Sequence, residues 1–343
     1  MFPALLLLHA LHAPAAMASV EIVWQGPEDE WPRVGPATAL PDEDVWLSAL
    51  VRFADGTCAV RTGAYVDATG VTRLCDTGLE RLSDLRATWL KLEPAESRMA
   101  RSPRGLGPPL PFRATAFATL HADRPLLADA RPALAPDDEG AEVGAMRYVV
   151  RISDERAGGE SWESPGLTEA REAFLLKVRA DDDYVGVLEE LRHVTHADSP
   201  RGVPVTQHET ELALAVDGMT LPVYGARRLG LALPYVDLDL LGAHLQPVPL
   251  DQVQRGDIIQ QGPRVGVLAS DGGVRGTLDA GDELLTASSG PLRRERYAKD
   301  AGETRAWRIK DLPARLPPRP TQRAPTRGRP ARPDAGPRGA PHR

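Results

Sequence analysis

Between residues 20 and 152 the chain never sustains a helical pattern. Its apolar residues come in short runs, EIVWQ, VWLSALVRF, CAVRTGAYV, ATWLKLEP, FRATAFATL and MRYVVRIS, several of them alternating. Gly, Pro and Asp punctuate these runs, as in ADGT and DATG. A period of two between turn signals marks half-buried strands. The region is therefore expected to be β structure, either one sandwich or two small β units meeting near RSPRGLGPPLP at 101–111.

Two cysteines, Cys58 and Cys75, flank AVRTGAYVDATGVTRL, which alternates like two strands around DATG. Facing strand positions can satisfy disulfide geometry, and an even count suits an exported protein. Closing a ring of this size stabilises by ~3 kcal/mol in the chain-entropy model. Export is also suggested by the N-terminus. Ala4 to Leu11 is apolar but too short to span a bilayer, and Ala16-Met17-Ala18 before Ser19 matches a small-residue cleavage site. Residues 1–18 are thus expected to be a signal peptide, and the mature protein periplasmic or extracellular. No later segment has the length and uniform apolarity of a membrane helix, so no membrane span is expected.

The basic residues are almost all arginine; Lys91, Lys177, Lys299 and Lys310 are the lysines. With abundant Ala, Gly and Pro, this is the bias of GC-rich codons and points to a bacterial origin. Residues 312–343 hold nine Pro, eight Arg and a single acid, Asp334. Such a segment cannot bury enough apolar surface to fold alone, so a disordered tail is expected there. It carries +7, which leaves −14 for the rest of a chain whose net charge is −7. The acidic body gives no reason to expect nucleic-acid binding; attraction of the tail to anionic envelope polymers is open.

The pattern changes after SPGLTEAREA. AFLLKVRA reads as one more strand, and DDDYVGVLEELRHVT as a helix with acids at its positive end and Tyr184, Val187, Leu188 and Leu191 on one face. RGDIIQQ, RVGVLAS and ELLTAS then read as strands. The division expected is 19–155 for the β-rich domain, 165–311 for a second, α+β domain, and 312–343 for the tail.

Three stretches of the second domain fall in a recognisable order: DGMTLPVYGARRLGLALP, LDQVQRGDIIQQGPRVGVLASDGG and DELLTASSGPLRRERY. From about 212 to 309 the chain resembles NlpC-type cell-wall peptidases, which are papain-like cysteine hydrolases. The first stretch is similar to that family's Asp-Cys-Ser-Gly-Leu helix and following Leu-Gly-Ile-x-Leu-Pro. The second is similar to Leu-x-x-Gly-Asp-Leu, then His-Val-Gly-Ile-Tyr and a Gly-Asp-Gly turn. The third is similar to Ile-His-Ala-Ser. The resemblance implies a small papain-like fold whose thiolate sits at a helix N-terminus beside an oriented histidine.

Carried over position by position, the cysteine becomes Gly218, next to Asp217; the histidine becomes Arg264; and the orienting residue becomes Thr286. Glycine offers no nucleophile, and arginine cannot accept a proton near neutral pH. Pro222 argues that the helix starts late, with Thr220 as its cap and Pro222 in the first turn. The expectation is a non-catalytic envelope protein that binds peptidoglycan peptide or another protein, with no cofactor. Two alternatives stay open: a hydrolase relocated to Asp217, His208 and His244, and a β-sandwich adaptor.

Other motifs have plainer readings. His193, His196, His208, Glu209 and Glu211 match no zinc spacing, so no metal is expected. RGD at 255–257 reads as a turn entering a strand, ADDDYV at 180–185 as a helix start rather than a calcium loop, and ASDGG at 269–273 as a turn. Ser288 and Ser289 have no nearby histidine to activate them.

Overall fold

A computed structural model describes residues 16–75, 79–99, 111–133, 140–154, 159–200, 208–288, 290–299 and 302–317. The fold is α+β and mostly strand. Six longer strands organise the first half: β1 (Met17–Gln25), β2 (Val45–Phe53), β3 (Leu85–Pro94), β4 (Phe112–His121), β5 (Gly144–Asp154) and β6 (Phe174–Val178). Among the described residues they build two sheets. One centres on the antiparallel β1–β2 pair and carries short strands on both sides; the other runs β4-β3-β5-β6 and ends at Ala37–Ala39.

The alternation seen in sequence is what closes the sandwich. Val20, Ile22 and Trp24 of β1 and Leu47, Ala49 and Val51 of β2 point into one core. Ala87 and Trp89 of β3 and Met146, Tyr148, Val150 and Ile152 of β5 meet them from the other sheet. Each strand thus presents every second residue to the interior. The two sheets enclose one shared core, which selects the single sandwich over two small β units; 100–110, most of the expected seam, lies outside the described residues.

The hairpin between the cysteines is present. Ala64 pairs with Leu74 and Val66 with Thr72. At its turn Asp67 accepts hydrogen bonds from the Thr69 and Val71 amides, at 2.9 and 3.0 Å. Cys58 and Cys75 form a disulfide with their Cα atoms 4.9 Å apart. β1 starts at Met17, so the cleavage expected after Ala18 falls inside this strand; from Ser19 onward its ladder with β2 is regular.

Two boundaries differ from the sequence expectation. The strands Ser161–Glu163 and β6 hydrogen-bond to β5, so the sandwich extends to Val178 rather than ending at 155. β6 is buried on both faces. Phe174, Leu176 and Val178 enter the sandwich, while Leu175 and Lys177 face the second half, which is why FLLKV reads as a continuous run. At the other end, residues 312–317 are not outside the fold. Leu312 and Leu316 pack against the second core, and the Leu316 amide donates to the Asp182 carbonyl at 2.8 Å. The remainder of the expected tail, 318–343, lies outside the described residues.

The second half is a six-stranded antiparallel sheet with helices on one face. Its strands are β7 (Leu245–Val248), β8 (Ile258–Gln261), β9 (Arg264–Ser270), β10 (Glu283–Thr286), β11 (Arg293–Arg296) and β12 (Thr304–Ile309), in spatial order β7-β12-β8-β9-β10-β11. The short helix α1 (Leu79–Ser83) belongs to the sandwich, while α2 (Tyr184–Leu188) and α3 (Thr220–Arg228) cover this sheet. Asp183 caps α2 by accepting from the Gly186 amide at 2.8 Å, so ADDDYV is a helix start. α2 stops at Leu188 and continues as a 3-10 turn, Glu189–Leu191, shorter than the helix expected. Among the described residues no helix is long and apolar enough to cross a membrane.

Candidate functional site

The helix α3 opens on a reciprocal cap. Asp217 Oδ1 accepts from the amides of Met219 and Thr220 at 3.0 and 2.7 Å, and the Asp217 amide donates to Thr220 Oγ1 at 3.2 Å. Asp217 and Thr220 thus tie the turn ahead of the helix reciprocally, in the manner of a capping box. The helix itself runs Thr220–Arg228 with Met219 at the cap position, so Thr220 is its first residue rather than its cap, and Pro222 lies in the first turn as expected, where its missing N–H costs nothing. Asp217 Oδ2 is also engaged, accepting from the Ser199 amide at 3.0 Å.

Gly218 follows Asp217, ahead of the helix, and lies against β9. A Cβ at this position would stand 2.5 Å from the Val265 carbonyl oxygen and 3.4 Å from the Val265 side chain. Backbone cannot yield as a flexible side chain does, so this backbone leaves no space for a thiol at 218. Arg264 neighbours Val265 on β9, and Thr286 is the register partner of Gly266. The three positions carried over from the peptidase resemblance are therefore neighbours in the fold, but they do not share a face.

Strand alternation decides this. Val265, Val267 and Ala269 of β9, with Leu285 and Ala287 on or beside β10, point toward α3. Leu268 and Leu284 point to a separate cluster on the far side of the sheet, and Arg264 and Thr286 keep step with them. Arg264 is exposed and Thr286 buried. The residue facing Gly218 is thus apolar Val265, and among the described residues neither Arg264 nor Thr286 stands opposite position 218.

The relocated constellation is likewise dispersed. His208 stacks on Tyr235 with ring centroids 3.8 Å apart, and its Nδ1 accepts from the Thr210 amide at 3.2 Å. Partial burial pushes its pKa below the ordinary value. Asp217 is committed to capping, and His244 closes an exposed 3-10 turn, Leu238–His244, at the β7 edge. Among the described residues no hydrogen bond links these three. His193 and His196 turn to other partners, the Ala141 carbonyl at 3.2 Å and Asp198 at 3.1 Å, and no group of three metal-binding side chains gathers among the described residues.

The RGD segment is a turn. Asp257 is 1% exposed and gripped by Arg308 through two 2.8 Å bonds, which leaves its carboxylate inaccessible. In ASDGG, Gly272 donates to Asp282 at 3.0 Å, within a loop between strands. Ser288 hydrogen-bonds Thr286; Ser289 lies outside the described residues.

A polar cluster without a sequence motif sits where the two halves meet. From β5, Arg147 donates to the carbonyls of Ala170 and Ala213, both at 3.0 Å, and to that of Leu212. From β6, Lys177 donates to the Glu211 carbonyl at 2.7 Å and to the Tyr224 hydroxyl at 3.1 Å. The Tyr224 hydroxyl donates to Glu190 at 2.6 Å, and Arg228 clasps both Glu190 oxygens at 3.1 Å. Glu190 is wholly buried, and these bonds satisfy both of its oxygens. Burial lowers the Arg147 pKa to about 10 and that of Lys177 to about 8. Five residues from four elements build the cluster, so no local spacing betrays it. The one signal available was a lysine inside the apolar run FLLKV.

Compared with protein-family models, with curated proteins and with solved structures, the chain matches none at a significant level.

Proposed function

We propose that the protein is a non-catalytic binding protein of the bacterial cell envelope, exported, with a second half related to NlpC-type peptidases. The observation that carries the non-catalytic reading is the contact at Gly218, where a side chain would meet the Val265 carbonyl oxygen at 2.5 Å. The relationship is supported by a helix anchored at its start by Asp217 and lying on an antiparallel sheet, with positions 218, 264 and 286 as neighbours in the order that the motifs imply. Against a working triad stand the apolar Val265 opposite Gly218 and the outward faces of Arg264 and Thr286. Export is supported by the Cys58–Cys75 disulfide, which persists in oxidising compartments. The partner on this reading is peptidoglycan peptide or an envelope protein.

The test is incubation of the purified protein with soluble muropeptides, read by mass spectrometry and by calorimetry. The expected result is saturable binding with no cleavage product. Cleavage that vanishes on deleting residues 212–309 would overturn the reading, as would the absence of any muropeptide or envelope-protein binding.

A further inference from the structure

The end of α3 opposite Gly218 borders a cavity of about 470 Å³, lined by Lys177, Glu211, Tyr224, Arg227, Arg228 and the Gly230–Ala232 turn. We propose that this cavity binds a small ligand bearing one carboxylate next to a small apolar group.

The charges around the cavity do not cancel. Glu190 is consumed by Arg228, and Glu211 by Arg227 through a 2.5 Å contact. That leaves the Lys177 ammonium, 8% exposed, with a backbone carbonyl and a phenol oxygen as its acceptors. Neither carries charge, and an ammonium has three donors, so one remains unused among the described contacts. A desolvated cation whose nearby carboxylates, Glu190 and Glu211, are each held by an arginine is costly, and its pKa near 8, lowered by burial, expresses that cost. Lys177, Arg227 and Arg228 against Glu190 and Glu211 leave an excess of positive charge, to which buried Arg147, bonded only to carbonyls, adds, so the cavity suits an anion; its apolar rim favours a carboxylate on a small apolar group over phosphate. Leu231 and Ala232 on the rim supply the apolar wall. Arg227 and Arg228, in the last turn of α3, offset the negative helix end that would otherwise repel an anion.

The inference rests on the cavity and not on the peptidase resemblance. α3 spans nine residues, so Gly218 and this cavity are separated by roughly 13 Å along the helix.

The experiment is calorimetric titration of the full protein with the dipeptide Ala-Ala, with Ala-Ala amide and with inorganic phosphate. The dipeptide is expected to bind at least about tenfold more tightly than the other two. At pH 8 its binding should take up about half a proton, as Lys177 is driven to its charged form. Lys177→Met and Ala232→Trp, the first removing the charge and the second filling the cavity, should each weaken binding at least about tenfold with melting temperature unchanged or raised. No dipeptide binding, equal affinity for the amide, preference for phosphate, or undiminished binding by both variants would each overturn the proposal. Gly218→Ala should leave the affinity unaltered, which separates this site from the one assigned above.

Discussion

Lys177 weakens the protein that contains it. Its amine titrates at 10.5 when solvated and at about 8 in the fold, because burial disfavours the ammonium. Between these values the folded chain holds fewer protons than the unfolded one, so stability rises with pH from 8 to 10.5 and the penalty is complete below 8. The span corresponds to roughly 3 kcal/mol. Lys177→Met is expected to be more stable than the parent at pH 7, and urea midpoints measured from pH 7 to 10 should climb for the parent but stay flat for the variant. Gly218 is the converse case, a residue defined by what cannot be added. Gly218→Ala should cost about 1–3 kcal/mol, since the new methyl meets backbone, and Gly218→Cys should gain no thiol-dependent hydrolysis. That position 218 carries no nucleophile was legible in the sequence, since glycine has no side chain. That Arg264 faces away was not, because a motif aligns residues along a strand and says nothing of which side the helix occupies.

At the level of elements, local chemistry was the readable part. The hairpin of 64–74 follows from alternation around DATG, whose Asp67 carboxylate is held well below the usual range by Thr69, Val71 and Arg73. Ser replacing both Cys58 and Cys75 should lower unfolding free energy by about 3 kcal/mol, seen as a reduced melting temperature that dithiothreitol no longer affects. Thr220 opens α3 instead of capping it, one residue from the place its side chain suggests, because Asp217 holds the amides of Met219 and Thr220 from the turn before. Asp217→Ala should cost about 1–2 kcal/mol in thermal or urea unfolding. Leu312 and Leu316 were lost among prolines and arginines, because composition averages over the two residues that pack.

At the level of the whole molecule, the missed feature is the strand β6. Its pairing with Ala37–Ala39, far away in sequence, has no local signature, and SPGLTEAREA before it reads like a linker. β6 instead serves as a wall between two interiors, with Arg147 and Lys177 gripping carbonyls of the segment beyond it. Calorimetry should therefore record one unfolding transition; two resolved transitions would contradict this coupling.

A partition that is common property cannot be divided between heirs. Had this gene been assembled by joining a sandwich to a ready-made hydrolase-like unit, the junction at Leu175 and Lys177 would have had to be rebuilt on both sides afterwards. Any later recombination that preserves a working product must carry residues 174–178 together with both neighbours.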